Sequence, residues 1–399
     1  MDIEMGKILI FIFLLNITVI GGEIDGSLST GFYWGTPYWN PDNYSDDNSI
    51  PSDDSFMRSV NHLRLNGRFL NNLTFRIHAL RSDGFQSENR LSETKIYQVY
   101  AQYDFSGAMV RLGRFVPLNR WIRGSIDGGR FNFAISKEIK FSAMGGLYSP
   151  YGKIYDSDNT IGLGYADVSV RLKIIGVKAK MFMNEDVTKA GADFFGRYGQ
   201  LYYSGNYGFD FTNSRIVDGS LNLMFHMNQN LSLSGNYRLI RTDDWSIRFV
   251  DFPSIMIERI SLGVKYTLFS NYYLDLRQMA TLTSESSGYL TYLNFGGKYF
   301  YAGANLLSGD SPYERLGFQL GAKYNFFKSL YINAGFTPVN YELDEEEGSM
   351  HTFSYYLRLN YKLLKRITIA ANFNFYQDNK ALDSNTRGGL QIRYNFGGM

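Results

Sequence analysis

Residues 367–375 read ITIAANFNF. Ile367, Ile369, Ala371, Phe373 and Phe375 fall on one parity, and Thr368, Ala370, Asn372 and Asn374 fall on the other. Successive side chains of a strand point to opposite faces, so this stretch has one apolar and one polar face. The pattern recurs along the chain. Leu231, Leu233 and Tyr237 alternate with Ser232, Ser234, Asn236 and Arg238, and Ile260, Leu262, Val264 and Tyr266 alternate with Ser261, Gly263, Lys265 and Thr267. Leu316 to Tyr324 and Phe353 to Tyr361 repeat it.

Short polar turns, such as DFSG at 104–107, MNQN at 227–230 and FFKS at 326–329, interleave with long segments at 34–55, 149–160, 241–254 and 339–352. Short turns on one rim and long loops on the other are the plan of a transmembrane β-barrel. The expected fold class is therefore all-β, a transmembrane up-and-down antiparallel barrel with an even strand number of about 18–22. Residues 187–220 leave 18, 20 and 22 strands open. In a closed barrel in lipid the apolar parity faces outward, because only closure satisfies every backbone group inside a bilayer. A soluble sandwich or propeller would turn that face inward, and its core cannot usefully bury so many long one-faced strands.

Composition agrees with this. The chain has 399 residues, a formal net charge of +2, no cysteine, 31 Tyr and 31 Phe. Near neutrality removes any case from bulk charge for a nucleic-acid partner, and the absence of cysteine removes disulfides and thiol chemistry. Lys7 precedes an apolar run from Ile8 through Ile20 that ends at Gly21 and Gly22, the layout of a secretory signal peptide. Residues 1–22 are expected to be that signal, and residues 23–399 a single barrel domain.

Parity assigns the lumen. Inward cations are Arg64, Arg76, Arg111, Lys140, Arg171, Lys178, Lys180, Arg238, Lys265, Arg277, Lys323, Arg358 and Arg393, against the inward acids Asp104, Asp167 and Asp275. Low-dielectric walls focus such a field, which points to an aqueous pore favouring anions. The alternative is a basic ladder that satisfies only its own neighbours. Phe32, Tyr33, Trp34, Tyr272, Tyr273, Phe326 and Tyr376, near predicted strand ends, fit interfacial girdles. The acid runs at Asp42, Asp46 and Asp47 and at Asp344 to Glu347 lack EF-hand spacing and read as solvated loops.

The end of the chain, GLQIRYNF at 389–396, resembles the terminal strand of bacterial outer-membrane proteins, whose final aromatic is read by the barrel-assembly machinery; here Gly397, Gly398 and Met399 follow it. The densest basic stretch, VRLGRFVPLNRWIRGSIDGGR at 110–130, resembles the region of bacterial porins in which the third long loop folds into the pore. By that resemblance Arg120, Trp121 and Arg123 line a constriction, with Arg111 and Arg114 on the wall nearby. General porins place acids on this loop, whereas none lies between Phe115 and Ser125 here.

The function this implies is passive diffusion of small hydrophilic, anionic solutes. Expected partners are those solutes, outer-membrane lipid and lipopolysaccharide, and the barrel-assembly machinery; the resemblance adds a homotrimer. No cofactor, metal or nucleic acid is implied. A non-conducting scaffold or adhesin is the alternative. A lipid-acting barrel enzyme is the weaker one, because His62, His78 and His226 take lumen parity, His351 falls in a predicted loop, and no G-x-S-x-G or H-E-x-x-H motif occurs.

Overall fold

The computed structural model describes residues 23–35, 56–69, 72–84, 92–117, 121–122, 124–149, 161–241, 255–269, 271–284, 286–310, 315–327, 329–342, 349–378 and 384–397. The expected signal segment, Arg120, Arg123 and both loop acid runs lie outside them.

The described chain forms 22 strands. These are β1 (Glu23–Gly35), β2 (Phe56–Phe69), β3 (Leu73–Gly84), β4 (Ser92–Phe105), β5 (Ala108–Phe115), β6 (Ser125–Ala134), β7 (Ile139–Ser149), β8 (Ile161–Arg171), β9 (Ile175–Asn184), β10 (Thr188–Tyr198) and β11 (Leu201–Asp210). They continue with β12 (Arg215–His226), β13 (Leu231–Arg241), β14 (Met256–Phe269), β15 (Tyr272–Leu282), β16 (Ser287–Gly297), β17 (Phe300–Gly309), β18 (Arg315–Phe326), β19 (Leu330–Glu342), β20 (Ser349–Lys362), β21 (Ile367–Asp378) and β22 (Ser384–Phe396). Each strand pairs antiparallel with the next, and β1 pairs with β22, from Gly26 opposite Phe396 to Gly35 opposite Arg387. The sheet is closed and has no free edge, the condition for spanning lipid with strands.

The opening stretch lies in β21, where Ile369, Ala371 and Phe373 stand opposite Ile392, Leu390 and Gly388 of β22. The apolar parity forms the outer wall. Leu262, Leu112 and Leu320 keep 65%, 61% and 55% of their surface open. Exposing whole leucines to water forgoes about 25 cal/mol per Å² of apolar area, whereas lipid removes that cost.

Turn chemistry separates the rims. Gly107 and Gly199, at φ 78° and 58°, occupy tight two-residue turns that need a left-handed backbone. Turns of this kind lie at the rim where β1 starts and β22 ends. On the opposite rim the connections are mostly long, but 185–187, 211–214 and 283–286 are short, which made 187–220 hard to count from sequence. The predicted loop at 339–352 is also shorter than expected. His351 belongs to β20, where its Nδ1 lies 2.8 Å from Asn340 Oδ1.

Register also corrects the aromatic girdle. Tyr272 stacks with Phe295 and meets Phe300 at a tilt on the outer wall, and Phe32 and Trp34 share that face near the other rim. Tyr33, Tyr273 and Tyr376 alternate with these outward positions, and their partners Gly389, Gly296 and Ser354 are inward, so the three line the lumen.

Strands β5–β7 approach one another closely at three glycines. Gly113, Gly128 and Gly146 form one cross-strand row. A Cβ on Gly128 would stand 2.7 Å from Gly146 Cα, and Gly113 adopts φ 118°, so only glycine permits this close approach. Residues 116, 117, 121, 122 and 124 are the described part of the β5–β6 loop that follows this row.

Candidate functional site

The described part of that loop meets the inner wall. Trp121 and Ile122 are buried in one cluster with Phe115 and Ile126 from the loop's two bases and with Tyr100, Met144, Tyr148, Leu163, Tyr165 and Phe182. Met144, Tyr165 and Phe182 are successive partners across β7, β8 and β9, on the same parity as Ser142, Asp167 and Lys180. Trp121 and Ile122 therefore lie inside the barrel, against an inner surface that is apolar where they dock. Apolar residues on the otherwise polar parity at Met144, Leu163 and Phe182 were the sequence signal for this docking surface, and parity reading alone did not use it.

Trp121 is fixed on several sides. Its indole Nε1 donates to Asp218 Oδ1 on β12 at 3.4 Å, and the Lys180 ammonium on β9 lies 4.3 Å from its ring centroid. Asn206 Nδ2 donates to the other Asp218 oxygen at 2.7 Å, orienting the carboxylate. Beneath the indole lie Gly191 and Gly208, direct partners on β10 and β11. A Cβ on either would stand 3.1 or 3.0 Å from the ring, so the two glycines make the floor on which the indole rests.

The other expected site residues separate into distinct settings. Arg111 is inward: its Nη2 donates to Gln102 Oε1 at 2.6 Å, and its guanidinium lies 4.3 Å from the Tyr100 centroid and 5.8 Å from that of Phe115. It thus ties the wall to the base of the loop. Arg114 takes the alternate position in the register and is clamped to Asp127, with Nε to Oδ1 at 2.7 Å and Nη2 to Oδ2 at 2.5 Å. Lys180 is not open to the lumen: its side chain is 3% exposed and its ammonium lies 2.7 Å from Asp193 Oδ1.

By register, Arg64, Arg76, Lys140, Arg171, Lys178, Arg238, Lys265, Arg277, Lys323, Arg358 and Arg393 lie on the inner parity. Arg64 Nε approaches His78 Nε2 at 3.4 Å, Arg76 Nε donates to Asn66 Oδ1 at 2.7 Å, and Arg277 Nη2 donates to Asp275 Oδ2 at 3.3 Å. The same register adds inward groups that the sequence reading missed: the cations Arg130, Lys189 and Arg259 and the acids Asp25, Asp193, Asp210 and Asp218. Three of these acids, Asp193, Asp210 and Asp218, lie on β10–β12, under and beside the docked loop residues, and Asp25 lies on β1. Elsewhere on the inner wall cations predominate.

Toward the short-turn rim the lumen opens into a cavity of about 1010 Å³, lined by Arg171, Arg197, Tyr202, Asn222, His226 and Arg277 among others. Arg197 lies 4.7 Å from the Tyr202 centroid, and His226 meets the same ring edge-on at 5.4 Å. Among the described residues no group of three His, Cys, Asp or Glu is arranged to hold a metal ion.

A closed barrel with an apolar outer wall, a polar and charged inner wall and Trp121 and Ile122 buried inside is a transmembrane β-barrel of the outer-membrane type. No protein-family model matches the sequence, and comparison with curated proteins finds no match. Among solved structures, the P pilus usher (PapC) translocation pore is similar at TM-score 0.53 and 9% identity, over 94% of this chain and 100% of that one. At that identity the likeness shows the fold alone. OccAB3 of Acinetobacter baumannii aligns at TM-score 0.48 and 12% identity over 94% and 99% of the two chains. OpdK of Pseudomonas aeruginosa with vanillate aligns at 0.43 and 10% over 94% and 99%.

Proposed function

We propose that this barrel is a channel for passive diffusion of small hydrophilic solutes across the outer membrane, and that it favours anions. The observation that carries the reading is the inner wall, where arginines and lysines outnumber acids outside the docking patch of the β5–β6 loop. A low-dielectric wall focuses that positive potential into the lumen. Trp121 and Ile122, buried inside the barrel, narrow the passage in this reading, and Arg111, at the base of their loop, is the described cation best placed to act on a passing solute. Arginine holds carboxylate and phosphate by paired hydrogen bonds, which suits solutes of those classes.

The reading is tested by single-channel recording of the refolded protein in a planar bilayer under a KCl gradient. Discrete conductance steps with a reversal potential on the anion-selective side are expected. Cation selectivity would remove the anion reading, and a correctly inserted but silent barrel would favour a scaffold over a channel.

A further inference from the structure

One cross-strand row on the inner wall has a composition that occurs nowhere else among the described strands. From β15 to β20 it runs Tyr273, Gly296, Tyr301, Gly321, Gly335, Tyr356, each residue the direct register partner of the next. Every tyrosine lies flat over a partner glycine: a Cβ on Gly296 would run into the ring of Tyr273, one on Gly321 into Tyr301, and one on Gly335 into Tyr356. The glycines thus let the rings lie against the wall with part of their surface open to the lumen. Tyr273 and Tyr301 are each the second residue of a strand that starts at the short-turn rim, whereas Tyr356 sits well up β20. The row therefore climbs the wall, as it must in a barrel of tilted strands. Strand spacing separates the backbone positions of successive tyrosines by roughly 10 and 14 Å, and the rings of Tyr301 and Tyr356 lean toward each other over the partner glycines Gly321 and Gly335.

The flanking rows supply neutral amides. Gln319 Nε2 donates to Asn294 Oδ1 at 2.7 Å across Gly303, and Tyr356 Oη donates to Asn333 Oδ1 at 3.4 Å. Charged groups complete the surface: Lys265, opposite Asp275 in the register, lies 4.6 Å from the Tyr273 centroid, Arg358 lies 5.5 Å from that of Tyr356, and Lys323 shares the row of Asn333 and Arg358. The β5–β6 loop docks on β4 and β7–β12, and among its described residues none packs on these strands.

We infer that this tyrosine row is a binding track for short acidic oligosaccharides of the uronic-acid type. Aromatic faces pack on the apolar face of a sugar ring, amides both donate to and accept from its hydroxyls, and Lys265 and Arg358 meet its carboxylates. An aromatic carboxylic acid would leave the amides unused, and a neutral sugar would leave the cations unused. The row crosses five strand intervals from β15 to β20, on the order of 24 Å, which suits a chain of sugars rather than one. The inference rests on the channel reading for its biological role, but binding itself does not require conduction.

The test is isothermal titration calorimetry of the detergent-purified full chain with linear trigalacturonic acid, using maltotriose as the neutral match. Two double variants accompany the wild type: Tyr301→Ala with Tyr356→Ala, and Tyr301→Phe with Tyr356→Phe. Folding of each is checked by heat-dependent gel migration. Loss of two stacking faces is expected to weaken trigalacturonate binding about tenfold or more, while the Phe pair stays close to wild type and maltotriose binds far more weakly. No binding to a folded wild-type barrel, equal affinity in the Ala pair, or equal affinity for maltotriose would overturn the inference. Conductance recorded on the same preparations separates the two readings: anion conduction without uronate binding sinks only the track, and uronate binding by a silent barrel sinks only the channel.

Discussion

Replacing Trp121 with alanine should loosen the β5–β6 loop without unfolding the barrel. The indole is buried, lies on the Gly191–Gly208 floor, carries Lys180 on its face at 4.3 Å and donates to Asp218 at 3.4 Å. Truncating a buried tryptophan typically costs about 3–5 kcal/mol, of which packing is the larger share and the cation contact on the order of 1 kcal/mol. Because the hydrogen bond is long, its share is placed at the low end for a charged acceptor, about 1.5 kcal/mol or less. Taking about 3 kcal/mol as the loss of loop docking, the ratio of docked to undocked loop falls on the order of a hundredfold. The β-ladder hydrogen bonds are untouched, so insertion and heat-resistant migration should persist. In single-channel recordings the variant should show a noisier open level with larger excursions, and Trp121→Phe should fall between it and wild type. Identical conductance and noise in wild type and Trp121→Ala would refute the argument that this side chain holds the loop in the lumen.

Three further outcomes follow from the same geometry. Asp193→Ala leaves the buried Lys180 ammonium without its partner and should lower barrel stability by about 3 kcal/mol in urea unfolding; adding Lys180→Met should recover part of that loss. Leu262→Arg places a cation on the lipid face and should cost about 2–4 kcal/mol if near the bilayer midplane, whereas Ser261→Arg, one residue away but inward, should fold normally; equal stabilities would contradict the parity assignment. Arg111→Glu should move the reversal potential toward the cation side, with Arg111→Gln intermediate, and an unmoved potential would show that this guanidinium does not govern selectivity.

The features legible in the sequence were those that depend on period two alone. One face of each strand met lipid and the other water over most of the chain, so the apolar parity at Leu262 or Phe373 could be read locally. What escaped depends on pairing between distant segments. Asp193 and Asp218 lie on strands joined by three- and four-residue connections at the rim where long loops were expected, so the count, and with it the parity, blurred there. Trp121 could be named from the resemblance to a porin third loop, but its floor is made by Gly191 and Gly208, which become one surface only through the β10–β11 register. The tyrosine row is the extreme case. Tyr273, Tyr301 and Tyr356 have nothing in common along the chain, and two of them sit so close to strand ends that Tyr273 read as an interfacial anchor. Register alone gathers them, and it also explains the glycines opposite: a ring lies flat against the wall where its cross-strand partner has no side chain, as Tyr272 over Gly297 and Trp34 over Gly388 also do on the outer face. The inner wall is thereby divided between a sector that holds the loop through apolar packing and the buried Lys180–Asp193 pair, and a sector of flat rings, amides and cations on which no described loop residue packs.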